Sequence, residues 1–322
     1  MNRGNVRRLR SAALKVLIPL LTQTIGRLPY PALRLCGKSI GWLLLTTNRR
    51  YRERSREHLT IAFPDANDET VATLQRGCFD NAAMNAIETL QLLARGSGPI
   101  ERRLTVEGWQ HVAAETEAGR RVLLLTAHCG FWELLGVAVA RQGSKLFAFG
   151  RKLDEPVFSD LVAQVRQAVA TETIERGTPA SRRLLRQALT GDGALTILID
   201  QDTKVDGTWV PFFGRPAHTP LGAAELAIRR EMRVIPAFLE RHPGGRHTAR
   251  FLPALDLPDD ATAATAVMST KIEEQIRRLP EQWVWWHRRW RRQPEDGELA
   301  AGSQADVGRD KKTKDKKLKD FR

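Results

Sequence analysis

With 322 residues the chain can bury a sizeable core, as one large domain or two small ones. A net charge of +14 and a pI near 10.3 demand an anionic partner: nucleic acid, a membrane surface or an acidic protein. The three cysteines, Cys36, Cys78 and Cys129, show no Cys-x-x-Cys spacing, which argues against a disulfide framework or structural zinc site and for a reducing cytosolic side.

Arg3, Arg7, Arg8 and Arg10 precede two apolar stretches, residues 12–25 and 28–45. Neither an uninterrupted apolar core nor a small-residue cleavage site marks a signal peptide. A spanning helix needs about 20 predominantly apolar residues, and Lys15, Pro19, Arg27, Pro29, Pro31, Arg34 and Lys38 interrupt that length. Two helices lying in or against a membrane interface, joined at Leu28-Pro29-Tyr30-Pro31, are therefore expected. A single span and a helical hairpin packed on the core are the alternatives. Up to His58, thirteen Lys or Arg stand against Glu53 and Glu57, so most of the surplus charge lies beside the apolar stretches, as contact with an anionic leaflet requires.

Residues 49–63 read as a charged helix ended by Pro64, and Asp68 or Thr70 is the expected cap of the next one. Residues 69–95 carry apolar side chains at Val71, Leu74, Cys78, Ala82, Ile87, Leu90 and Leu93, the pattern of a long amphipathic helix stopped by Gly96-Ser97-Gly98-Pro99. From Arg103 short strands alternate with helices. Strands are expected at 104–107, 122–126, 146–149, 194–199, 234–239 and 247–252, and helices at 108–117, 131–141, 156–170, 180–190, 221–230 and 262–278. The alternation predicts an α/β fold with a mixed, mainly parallel sheet flanked by helices.

The stretch 121–136 organises the rest. Val122 to Thr126 is continuously apolar, as in a strand buried on both faces, and helical spacing resumes at Phe131, Leu134, Leu135 and Val139. Strand thus passes to helix around His128. His128 and Glu133 would stand about 140° apart on one helix; they can meet only if His128 lies in the turn and Glu133 in the first helical turn. There a carboxylate can fix the imidazole tautomer and leave the other nitrogen as a general base. A surface histidine beside an N-cap, with a first-turn Glu on the helix dipole, is the plain alternative. The position at the carboxyl end of a strand, where open α/β sheets place their sites, favours chemistry.

Three later stretches carry further signals. Gly150-Arg151-Lys152 ends a strand with two cations, one of which could clamp a phosphate. Asp200-Gln201-Asp202 follows a buried strand, so Asp200 can buttress a basic group of the site; no histidine cluster makes it a metal centre. Thr219-Pro220 reads as an N-cap followed by proline at the first helical position. Phe131, Trp132, Phe212 and Phe213 are candidates to line an apolar groove. Trp283, Trp285, Trp286 and Trp290 with Arg288, Arg289, Arg291 and Arg292 read as an aromatic and basic surface.

Taken in order, Leu28-Pro-Tyr-Pro31, His58-Leu-Thr-Ile-Ala-Phe-Pro64, His128-x4-Glu133, Gly150-Arg151, Asp200-Gln-Asp202, Val210-Pro-Phe-Phe-Gly214, Thr219 and Trp283-x-Trp285-x-His287-Arg-Arg289 resemble the late lipid A biosynthesis acyltransferases of Gram-negative bacteria. The likeness runs from about Leu17 to about Pro294. It implies a peripheral or single-pass enzyme on the cytoplasmic face of the inner membrane. Such an enzyme moves a fatty acyl chain from acyl carrier protein to a hydroxyl of an anionic glycolipid, with His128 and Glu133 as a catalytic dyad. Arg151, Asp200, Thr219, Phe131 and Trp132 would contact substrate; no metal or cofactor beyond the acyl carrier is implied. The expected layout is a membrane-associated helical segment at 1–60, an α/β acyltransferase domain at 61–294 and a disordered basic tail at 295–322. Another anionic lipid, such as a phosphatidylinositol mannoside, an ornithine lipid or a lysophospholipid, would suit the same chemistry. A basic nucleic-acid-binding protein is the rival from a different class, and it leaves the 121–136 stretch unexplained.

Overall fold

The computed structural model describes residues 3–150, 156–175, 179–190 and 193–294; Arg151 and the basic tail, both singled out above, lie outside the described residues. Four helices come first: α1 (Arg3–Thr24), α2 (Tyr30–Thr47), α3 (Arg49–Ala62) and α4 (Asp68–Arg95), with the short α5 (Gly98–Glu101) closing the run. The side chain of Asn48 caps α3 by accepting from Tyr51 N. Asn67 rather than Asp68 or Thr70 caps α4, its Oδ1 accepting from Thr70 N at 2.8 Å. Asp68 is the first helical residue, where its charge meets the positive end of the helix instead.

Pro29 precedes α2, Pro31 occupies its first turn, and the helix packs along α4 with Leu33 fully buried. Among the described residues no helix is long and apolar enough to cross a membrane. The single-span alternative is thereby corrected: the interrupting charges and prolines leave no apolar run of the needed length.

The remaining elements are β1 (Leu104–Glu107), α6 (Gln110–Glu117), β2 (Val122–Thr126), α7 (Leu135–Ala140), β3 (Lys145–Gly150), α8 (Pro156–Ala168), β4 (Thr171–Glu175), α9 (Pro179–Thr190), β5 (Gly193–Leu198), β6 (Gly207–Phe212), β7 (Arg215–Pro220), α10 (Gly222–Arg229), β8 (Arg233–Arg241), β9 (His247–Phe251) and α11 (Ala261–Arg278). Among the described residues seven strands form one sheet in the order β1-β9-β8-β2-β5-β3-β4. All neighbours are parallel except β8 and β9, which makes the sheet mixed and mainly parallel, as the alternating pattern predicts.

Strand β2 lies at its centre with every residue buried. Leu123 and Leu125 join one hydrophobic cluster while Val122 and Leu124 join the other, so the strand feeds a core on each face. Each such side chain contributes about 1.5–3 kcal/mol, enough in sum to fix the register on which the site depends.

Strand β4 and the antiparallel hairpin β6–β7 go beyond the predicted elements. The hairpin turn is Phe213-Gly214, with φ of 50° and 71°, the left-handed pair of a two-residue turn. A phenylalanine there hid the turn from the sequence. Its backbone N donates to Glu273 Oε2 at 2.5 Å and its ring packs between Phe63 and Trp285. The hairpin also corrects the reading of Thr219 as a helix cap: it sits inside β7, fully buried, and α10 starts three residues later. The closing aromatic and basic block is likewise interior at Trp283, Trp285, Arg289 and Trp290, while Trp286 is half-buried and Arg288 and Arg291 stay on the surface. Trp283, Trp285 and Arg289 are each 1 % exposed or less.

Candidate active site

Register brings the key pair together. On adjacent parallel strands Thr126 of β2 stands opposite Leu198 of β5. Two residues beyond each lie His128 and Asp200. Asp200 Oδ1 accepts from His128 Nδ1 at 2.8 Å while Oδ2 accepts from the His128 backbone N at 2.9 Å and from Trp283 Nε1 at 2.8 Å. Burial alone would raise the Asp200 pKa, but the His128 charge and hydrogen bond, then the Trp283 indole and the His128 amide, hold it well below the usual carboxylate range. An ionised carboxylate on Nδ1 fixes the tautomer that leaves the Nε2 lone pair free. The imidazole keeps 23 % of its side-chain surface exposed, so that nitrogen can be reached.

The turn after β2 is held tightly. Gly130 has φ of 57°, and a Cβ there would run into the Leu239 carbonyl, so only glycine fits. Its N donates to Gln282 O at 3.0 Å and its O accepts from Asn85 Nδ2 of α4 at 2.7 Å. Cys129 bridges to Trp283 across the same turn. Burial, reinforced by Asp200, pushes the Cys129 thiol well up, which removes it as a nucleophile.

Glu133 stands in a single 3-10 turn, Trp132–Leu134, before α7, not in a continuous helix. Its Oε2 accepts from Arg166 Nε of α8 at 3.4 Å. The carboxylate that meets the imidazole is therefore Asp200, while Glu133 is met by an arginine. Arg166 NH1 also reaches Thr173 Oγ1 at 3.4 Å. Gly150 lies directly beneath: a Cβ there would stand 2.9 Å from Arg166 NH1 and 2.6 Å from Thr173 Cγ2. The glycine that ends β3 is the space in which Arg166 sits.

A second histidine completes the group. The Gln201 amide lies 3.1 Å from His128 Nδ1 and 3.0 Å from His287 Nε2, and the two imidazole rings are 5.6 Å apart. Burial, then the charge of His128, lowers the His287 pKa to about 4, so it is neutral at ordinary pH. The Trp132 and His128 rings meet edge to face with centroids 4.9 Å apart. Phe131, at 3 % exposed, lies beneath the site in the core. Thr219 is remote from the imidazole in function: its Oγ1 accepts from Arg289 NH2 at 2.6 Å and locks the hairpin to the tryptophan block. Arg166 carries no local signal in the sequence, and Gln201 has only its place between Asp200 and Asp202.

Residues 5–292 match the sequence profile of the bacterial lipid A biosynthesis acyltransferases. The chain belongs to this family. It is 25 % identical over 277 residues to a lipid A biosynthesis acyltransferase of Haemophilus influenzae, covering 84 % of this chain and 87 % of that protein. Identity to the lipid A biosynthesis lauroyltransferase of Escherichia coli is also 25 %, over 84 % of this chain and 89 % of the relative. A phosphatidylinositol mannoside acyltransferase of Mycolicibacterium smegmatis is 24 % identical over 63 % of this chain and 67 % of its own length. The lipid A acyltransferase family match spans all four elements that build the His128 site: the turn after β2, the end of β5, α8 and the tryptophan block.

Proposed function

We propose that this acyltransferase moves a fatty acyl chain from acyl carrier protein to a hydroxyl of an anionic lipid A precursor, with His128 as general base. The observation that carries the reading is the hydrogen bond from His128 Nδ1 to the buried, ionised Asp200, which leaves Nε2 as the proton acceptor. Nε2 takes the acceptor hydroxyl proton as the oxygen attacks the thioester carbonyl, and Asp200 stabilises the imidazolium. Collapse of the tetrahedral adduct breaks the carbon–sulfur bond, and the imidazolium proton passes to the departing thiolate, giving an ester and a free carrier thiol. Arg166 supports the oxyanion: its acceptors, Glu133 and Thr173, are both at 3.4 Å, so its donors remain available. Glu133 belongs to the same machinery by steering that guanidinium. No cofactor beyond the carrier thioester enters these steps.

A cytoplasmic-face, inner-membrane location suits such a lipid acceptor. Its support is the N-terminal face, where Val16, Leu17 and Leu20 of α1 and Leu35, Trp42 and Leu43 of α2 are each at least 46 % exposed beside Lys15, Arg34 and Lys38. The donor is acidic, as is the acceptor, and a basic chain recruits both without nucleic acid.

The test is mass spectrometry of lipid A from cells with and without the protein. Loss of one secondary acyl chain is expected, restored by wild type and not by His128→Gln, whose turnover should fall roughly 10²–10⁴-fold. Unchanged lipid A alongside an altered phosphatidylinositol mannoside or other anionic lipid would move the reading to that acceptor, the alternative that the mycobacterial relative favours. Full activity in a folded His128→Gln protein would remove the histidine mechanism.

A further inference from the structure

Next to the site lies a group of arginines that the chemistry above does not use. Arg50 and Arg54 stand one helical turn apart on α3 and so share a face. Arg54 NH1 donates to the Trp286 carbonyl at 3.3 Å, and the Tyr51 ring stacks on the Trp286 ring with centroids 5.8 Å apart and planes 10° apart. Arg288 follows two residues later, immediately after His287, whose ring is 5.6 Å from that of His128. The Trp286 segment is pinned here from below by His58, whose Nδ1 lies 2.7 Å from the Trp285 carbonyl.

These guanidinium groups share one neighbourhood, where the charges of Arg50 and Arg288 both act on Arg54 and Glu57 is the carboxylate that opposes them. Among the described residues Arg50, Arg54 and Arg288 make no ion pair, whereas Arg49, Arg56, Arg291 and Arg292 around them do. Like charges at one-turn spacing destabilise a helix. Partial burial, then the charges of Arg288 and Arg50, push the Arg54 guanidinium below its usual range, with Glu57 and Tyr51 opposing. Arg50 and Arg288 are exposed, so their charge is open to solvent and to an approaching anion.

We propose that Arg50, Arg54 and Arg288 form a phosphate-binding site at the rim of the catalytic cleft, walled by Tyr51 and Trp286. Planar guanidinium forks match a phosphate's oxygens and hold them by paired, charge-assisted hydrogen bonds. Two sources of phosphate reach this place, the head group of the lipid acceptor and the phosphodiester of the carrier's prosthetic arm. Position selects the acceptor: α3 follows directly on α2, whose exposed Trp42, Leu43 and Leu44 form an apolar face against which a lipid would lie. This deepens the acyltransferase reading and rests on it for the identity of the ligand.

The experiment measures steady-state kinetics of the full chain with acyl carrier donor and lipid acceptor, with and without the acceptor's phosphates. Variants are Arg50→Gln, Arg288→Gln, Arg54→Lys and the triple Arg50→Gln/Arg54→Gln/Arg288→Gln, each checked for folding by circular dichroism. Each Gln variant should raise acceptor KM roughly tenfold, with kcat at saturation and donor KM kept within about twofold. The difference should vanish on dephosphorylated acceptor, and Arg54→Lys should retain part of the affinity. A rise in donor KM instead overturns the lipid assignment in favour of the carrier, and unchanged KM values overturn the site. Calorimetric titration with inorganic pyrophosphate at low salt keeps the two readings apart. Binding by wild type and its loss in the triple variant support the arginine site even if no lipid is acylated, and equal binding by both sinks it even if acyl transfer is confirmed.

Discussion

The Asp200 carboxylate accepts three hydrogen bonds in a pocket where only 1 % of its side chain is exposed, and two of the three come from His128. An amide at that position would keep the shape and lose the charge that stabilises an imidazolium. Asp200→Asn is therefore expected to lower kcat by about a hundredfold or more, with acceptor KM little changed. Glu133→Gln tests the other carboxylate: if its work passes through Arg166, Arg166→Lys should reproduce its loss and the double variant should add little, a coupling that a double-mutant cycle measures. Additive losses would show Glu133 acting on the imidazole independently. At this scale the sequence discloses the residues better than their partners. His128 and Asp200 each stand out at the end of an apolar run and Glu133 by its spacing from His128, yet which carboxylate takes the imidazole depends on which strands are neighbours, a fact no local spacing contains. Arg166 is one of 51 Lys and Arg on a chain already basic, on an amphipathic helix, and nothing near it in sequence points to Glu133.

Helix α4 is the element that holds the site turn from behind. Asn85 donates to the Gly130 carbonyl, Asn81 donates to the Gln282 carbonyl at 3.2 Å, and Glu88, fully buried, accepts from Arg241 at 2.6 Å and from His247 at 3.1 Å. Burial would raise the Glu88 pKa; Arg241, then His247, lower it from 4.5 to about 2. A carboxylate with a depressed folded pKa adds stability that is complete above its unfolded value and lost as pH falls through the folded one. Stability from this group should thus be full above about pH 4.5 and drain away toward pH 2. Glu88→Ala leaves Arg241 buried without its counter-charge and should cost about 3–5 kcal/mol in urea unfolding at neutral pH. Glu88→Gln should flatten the acid limb between those two pH values; an unchanged limb would assign the acid sensitivity to another carboxylate. The periodicity predicts this helix to within a residue at its start, because its apolar stripe is long. It cannot reveal the polar network, since Asn81, Glu88 and Gln91 look like solvent-facing positions until β8 and β9 are laid across them.

Across the whole molecule, two apolar surfaces serve different ends. The C-terminal tryptophans face inward: Trp283 and Trp285 meet edge to face at 4.7 Å, and Phe212 lies against Trp283 and Trp290. The N-terminal helices leave theirs outside, with Trp42 at 62 % and Val16 at 72 % exposed. If that face lies on a bilayer, Trp42→Glu with Leu43→Glu should release the protein from anionic vesicles in sedimentation, each lost insertion costing about 1.5–3 kcal/mol. Added salt should weaken what remains. Binding unchanged by the paired substitution would assign the face to a protein partner. Composition foretells such a basic, apolar N-terminus, but it cannot say which aromatic-basic segment is buried, because burial is decided by what packs on top: here α3 lies over the tryptophans and nothing described lies over Trp42. The parallel pairing of β2 with β5 has one further consequence. The separation of 72 positions from His128 to Asp200 is spanned by the register of two neighbouring strands, not by the intervening chain. Within the intervening chain α9 can lengthen, shorten or change sequence while the His128–Asp200 hydrogen bond stays in place; α8 and β4 are held to their positions by Arg166 and Thr173. The pair is thus indifferent to the length of the chain that joins it, whereas a slip of one residue between those two strands would turn Asp200 to the opposite face and break its bond to His128.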